Sequence, residues 1–90
     1  SVVDYQTPIV VGVAQQASRK RIDVLGLGSF QLEQADRATS VEILDLAGRH
    51  VQTVSVSNGR ASARVRPGVY LVRFRGIGGF VESRIATVAR

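Results

Sequence analysis

The sequence predicts an all-β fold, an Ig-like antiparallel β-sandwich of about seven strands. Three observations carry that reading. Asp45 and Gly48 stand three apart between an apolar run and Val51, Asn58-Gly59 joins two short alternating segments, and Val69–Arg75 alternates strictly between two kinds of side chain. Turn signals every ~8–12 residues, with short alternating runs between them, are the pattern of two packed sheets. The chain has 90 residues, 44% of them hydrophobic, which is enough for one domain with a single core.

Residues 1–21 read as a lead and residues 22–90 as the sandwich. Ser1–Gln6 resembles linker. Pro8, Ile9, Val10, Val11 and Val13 can form an edge strand, because proline is tolerated at a strand's first residue. Such a strand can leave its own sandwich for a neighbour's and give a swapped homodimer. Ala14–Ser18 favours helix over a run too short to hold one alone. Arg19-Lys20-Arg21 is a short basic cluster, read as solvated.

Ile22 and Val24 alternate with Asp23, as in a half-buried strand. Gly26-Leu27-Gly28 invites comparison with a phosphate loop, but position 31, where the dinucleotide fingerprint needs glycine, is Gln31. Phe30-Gln31-Leu32 alternates as a strand instead, so these glycines are expected to permit a bend or a close approach. Gln34–Ser40 is a polar loop with one helical turn through Ala35, Asp36 and Arg37.

From Val41 the local physics sharpens. Asp at the first position and Gly at the fourth is the signature of a type I turn closed by a left-handed residue. Asn58-Gly59 is the preferred type I′ pair, since both central residues need positive φ. Continued outward, that turn would set Val56 against Ala61, Ser55 against Ser62, Val54 against Ala63 and Thr53 against Arg64, with one apolar face and one polar. Pro67 interrupts pairing because it has no N–H to donate. Beyond it Tyr70, Val72 and Phe74 form one face, and Val69, Leu71, Arg73 and Arg75 the other. Gly76–Gly79 reads as a hairpin loop and Phe80–Arg90 as the last strand. The expected core is Ile22, Val24, Phe30, Leu32, Val41, Ile43, Val54, Val56, Tyr70, Val72, Phe74, Ile85 and Val88.

Charge is uneven. Residues 1–45 carry four basic and six acidic groups and residues 46–90 eight basic and one acidic, for the net +5. That balance raises a nucleic-acid or anionic-lipid partner through phosphate neutralisation. Alternate strand positions (Arg60, Arg64, Arg66; Arg73, Arg75) are also where exposed β faces and edges carry charge against aggregation, and this reading is preferred. With no cysteine and His50 as the single histidine, transition-metal ligands are lacking. Asp36, Glu33 and Glu42 form no paired-carboxylate pattern, the serines have no base, and no cofactor motif is present, so the expectation is a non-enzyme. No apolar stretch approaches the ~20 residues that span a bilayer. The chain contains no Met, even at position 1, and is read as a fragment or processed product.

The pattern Val-Glu-Ile-Leu-Asp-Leu-Ala-Gly-Arg-His-Val (41–51), a gap containing Asn-Gly, then Gly-Val-Tyr-Leu-Val-Arg-Phe (68–74) and a basic residue in a closing strand (Arg84-Ile85-Ala86-Thr87-Val88) resembles the C-terminal sorting domain of type IX secretion cargo. The likeness covers roughly residues 24–90. The Tyr-Pro-Asn-Pro common in that family is replaced here by Val24-Leu25-Gly26-Leu27-Gly28-Ser29-Phe30. The resemblance implies a small Ig-like sandwich at the end of an exported Bacteroidetes-type protein, recognised by an outer-membrane translocon. In many relatives a sortase-like peptidase removes the domain and links the cargo to surface lipopolysaccharide. The localisation implied is the periplasm in transit, then the outer membrane or cell surface. Residues that the translocon would read are Asp45, Gly48, Arg49, Gly68, Tyr70, Arg84 and Arg90. Two other classes stand beside it: a structural or adhesive Ig-like module of a surface protein, and a basic nucleic-acid-binding domain.

Overall fold

The computed structural model describes residues 21–89. The edge strand expected over Pro8–Val13, with the swap it would allow, lies outside the described residues, as does Arg90. Among the described residues seven strands form: β1 (Arg21–Leu25), β2 (Gly28–Gln31), β3 (Ala38–Asp45), β4 (His50–Ser55), β5 (Arg60–Ser62), β6 (Gly68–Gly76) and β7 (Val81–Val88). They build two sheets, one in the order β2-β1-β5 and one in the order β4-β3-β6-β7. The fold is an all-β sandwich. One pair departs from an all-antiparallel design, because β1 and β5 run parallel. The helical turn expected at Ala35–Arg37 forms as a 3-10 turn. Arg37 ties it to the β6–β7 loop by donating to the Ile77 carbonyl at 2.7 Å.

The core lies between the sheets. Phe74, Ile22, Leu32, Ile43, Val24, Val41 and Val72 are fully buried, and Phe30 meets Phe74 edge-to-face at 5.3 Å. Strand β6 carries the stripe its alternation predicts, with Tyr70, Val72 and Phe74 inward. Tyr70 satisfies its hydroxyl by donating to the Arg66 carbonyl at 2.6 Å. Val54, Val56 and Val88 are half-buried against the core, and Phe80 and Ala86 join it. Gly26 makes the close approach expected of it: a Cβ there would collide with the Ala63 carbonyl oxygen, and its φ is +96°.

Two expectations are corrected. The first is the hairpin after Asn58-Gly59. The turn itself forms, with φ of 54° at Asn58 and 74° at Gly59, and Ser57 and Arg60 exchange N–H···O bonds of 2.8 and 3.0 Å. The ladder then stops. Strand β4 pairs with β3, setting Val54 against Val41, while β5 pairs with β1, setting Ala61 against Val24. The turn is a corner between sheets. Its cause is the backbone of β1, which carries the buried Ile22 and Val24 and needs a partner on each side. Strand β2 supplies one and β5 the other.

The second correction is Ile85, expected in the core and found 61% exposed. The pairing of β7 with β6 sets Val72 against Arg84, Tyr70 against Ala86 and Phe74 against Glu82, so the even positions of β7 face inward. Ile85 and Val88 differ by an odd number and cannot share that face.

Glu82 and Arg84 are therefore charged side chains pointing toward the other sheet, and they close the sandwich's side. The Glu33 N–H donates to the Glu82 carboxylate at 3.1 and 3.3 Å. Arg84 donates to the Gln31 carbonyl at 3.1 Å and to Glu82 at 2.7 Å. A carbonyl and the N–H two residues on face the same way along an extended edge, so this ion pair occupies the place of a neighbouring strand on the edge of β2. On the opposite side Gln52 accepts from the Arg64 N–H at 3.3 Å.

Arg84→Glu is therefore expected to be destabilising: it removes the donor to Gln31 and sets a second carboxylate beside Glu82. A cost of about 0.5–1.5 kcal/mol follows from one lost hydrogen bond and one like-charge contact, both partly open to water. Thermal melts should show a drop of roughly 4–8 °C per kcal/mol for a domain of this size. A melting temperature equal to that of the parent chain would show that the bridge contributes nothing.

Candidate functional site

The turn between β3 and β4 is built by one carboxylate. Asp45 Oδ1 accepts from the backbone N–H of Ala47 at 3.0 Å and of Arg49 at 2.9 Å, and Oδ2 accepts from Arg49 Nε at 2.9 Å. The backbone closes in the same place, with Gly48 N–H donating to the Asp45 carbonyl and Asp45 N–H to the Arg49 carbonyl, both at 2.9 Å. Gly48 takes φ = 85°, the left-handed conformation the closing position demands. The expected turn forms, held by Asp45 and closed at left-handed Gly48, and the Arg49 side chain is left 81% exposed.

Register then gathers most of the candidate residues at one end of the sandwich. Asp45 pairs with Tyr70 across β3 and β6, Tyr70 pairs with Ala86, and Gly68 pairs with Val88. Asp45, Gly48, Arg49, Gly68 and Tyr70 thus share that end, although about twenty positions separate the two groups in sequence. Tyr70 is buried there and supports the surface from beneath. Arg84 stands apart, opposite Val72, with its guanidinium committed to Gln31 and Glu82.

Leu46, Val51 and Val69 complete this end as exposed aliphatic side chains beside the turn. Sequence reasoning passed over them as turn or outer-face positions. Their signal was available: each is a large apolar residue where the strand and turn pattern requires a solvent-facing one.

Charge on the outer face of the larger sheet is neutralised locally. Glu42 accepts from Arg73 at 3.3 Å and from Arg75 at 3.1 Å. Arg49 is paired with Asp45 and Arg84 with Glu82. These four arginines are engaged with carboxylates and do not form a continuous cationic track. Among the described residues no cluster of three or more His, Cys, Asp or Glu is placed to hold a metal ion, and no helix is long and apolar enough to cross a membrane.

No protein-family model, no curated protein and no solved structure matches this chain.

Both carboxylates titrate below their ordinary range. The Arg49 backbone N–H lowers Asp45 most; desolvation opposes it, and the Arg49 guanidinium and the Ala47 N–H add to the lowering. The hydrogen bond from Arg75 does the same for Glu42, assisted by the charges of Arg75 and Arg73. A carboxyl lowered in the folded state binds protons more readily when unfolded, so its stabilising contribution is present above about pH 4 and lost as pH falls through the folded-state value. The melting temperature is expected to be flat from neutrality to about pH 5 and to fall below about pH 4. Asp45→Asn should lower it at pH 7 and flatten part of the acid limb. An unchanged acid limb in that variant would remove Asp45 from the linkage.

Proposed function

We propose that this domain is a secretion signal: a folded sorting domain whose turn end is docked by the type IX outer-membrane translocon. Removal by a sortase-like peptidase, with attachment of the cargo to surface lipopolysaccharide, is the step that would follow. The protein would then pass through the periplasm to the outer membrane or cell surface.

The observation that supports this reading is the convergence of two separated motifs. The Asp45–Arg49 turn and the Gly68–Tyr70 strand start carry the resemblance, and they adjoin across the β3–β6 register with Arg49, Leu46 and Val69 exposed. A translocon that accepts many cargoes must read something independent of the cargo, and a rigid turn on a paired strand presents the same surface each time. Arginine is among the residues interface centres favour, and the exposed aliphatic side chains beside it add apolar area for a partner to bury. The engagement of Arg49, Arg73, Arg75 and Arg84 by carboxylates favours this reading over a nucleic-acid one.

Export of a reporter fused to the domain, in a type IX-competent host, tests it. Arg49→Ala and Leu46→Asp change exposed side chains and are expected to hold stability within about 1 kcal/mol, because exposed ion pairs contribute little. Each should nonetheless reduce export severely, while Arg60→Ala, at the Asn58-Gly59 corner by the opposite end of β3, should not. Folded Arg49→Ala and Leu46→Asp variants exported at the parent level would overturn the assignment.

A further inference from the structure

Strand β7 closes the four-stranded sheet, and among the described residues no strand pairs with its outer edge. An open edge of this length is a template for another strand. The usual protection is present: Glu82 and Arg84 point inward, where an arriving apolar strand would have to lie against two charges. That protection excludes most partners and leaves those able to set a cation beside Glu82 and an anion beside Arg84.

We infer that the partner is a second copy of this chain, joined edge to edge through an antiparallel β7–β7 pairing about a two-fold axis at Ser83. The sequence Val81-Glu82-Ser83-Arg84-Ile85 is chemically self-complementary about its centre. Antiparallel pairing about Ser83 places Glu82 of each copy opposite Arg84 of the other. It also places Val81 opposite Ile85, with Ser83 facing its own counterpart. Both ion pairs then lie on the inner face and both apolar pairs on the outer. There Val81 and Ile85 are 51% and 61% exposed in the single chain.

Neighbouring registers fail. A centre at Arg84 opposes two arginines, a centre at Glu82 opposes two carboxylates, and a centre at Ile85 sets Arg84 against Ala86 and Glu82 against Val88. Like charges directly opposite destabilise a ladder and opposite charges stabilise it, so charge selects the Ser83 register. The product is a continuous eight-stranded sheet with no exposed β7 edge.

Cross-linking tests both the pairing and its register, because the chain has no cysteine of its own. Directly opposed residues in an antiparallel pair have Cα atoms ~4.5–5.5 Å apart, within disulfide reach. Oxidised with glutathione disulfide, Ser83→Cys should become a covalent dimer. Val81→Cys and Ile85→Cys should each stay mostly monomeric alone and cross-link when mixed. Sedimentation equilibrium of the parent chain should show a monomer–dimer equilibrium. Ile85→Lys, a change at an exposed position, should abolish the dimer with an unaltered circular dichroism spectrum.

Two outcomes overturn the inference. One is a dimer that persists in Ile85→Lys while Ser83→Cys fails to cross-link, which would place the contact elsewhere, including an exchange of residues before Arg21. The other is a parent chain monomeric at every concentration with no cross-link at Ser83.

Discussion

Much of this sandwich follows from the need of β1 for hydrogen-bonding partners on both sides. Ile22 and Val24 fill the inward face of β1 in the middle of the smaller sheet, and a strand so placed is stabilised by backbone partners on both sides. Strand β2 satisfies one side through a short connection, and β5 must be delivered to the other. That demand draws β5 away from β4 and converts the Asn58-Gly59 turn from a hairpin tip into a corner between sheets. It also makes the β1–β5 pair parallel. The Gly59 carbonyl accepts from the Asp23 N–H at 3.0 Å, so the corner itself begins the new ladder.

A small sandwich with two unequal sheets then has sides to close. The β2 edge is closed by Glu82 and Arg84, and the other flank by Gln52. Charged residues facing inward would be costly within the core, where burying an ion without partners is strongly unfavourable. At the flank they retain solvent and find backbone partners, so the same residues satisfy an exposed edge of one sheet while discouraging indiscriminate pairing at the edge of the other. The domain's basic balance is likewise less free than composition implies, since Arg73 and Arg75 converge on Glu42.

The candidate recognition surface depends on the core in a simple way. Tyr70 sits inward beneath the turn end, its hydroxyl bound to the Arg66 carbonyl, and fixes where β6 begins relative to β3. Asp45, opposite it, uses both carboxylate oxygens to hold the turn. A buried aromatic and an exposed turn thus form one unit, which explains how residues of such different exposure can belong to one motif.

Much of this was legible in the sequence because it depends on neighbours along the chain. The Asp45–Gly48 turn and the Asn58-Gly59 turn follow from residues that tolerate left-handed backbone and hydrogen-bond locally, and the Tyr70–Val72–Phe74 stripe from strict alternation. The sheet assignment of β5, the inward phase of β7 and the role of Arg84 were decided only by the tertiary structure. Ile85 looked like core because it is apolar, and Arg84, as the basic residue of the closing strand, was expected among the residues a translocon reads. Their faces are set instead by the pairing of β7 with β6 and by the unpaired carbonyl of Gln31, more than fifty positions away in the chain. Local sequence encodes the conformation of a turn or the alternation of a strand, but the partner that a backbone edge will find is a property of the whole packed chain.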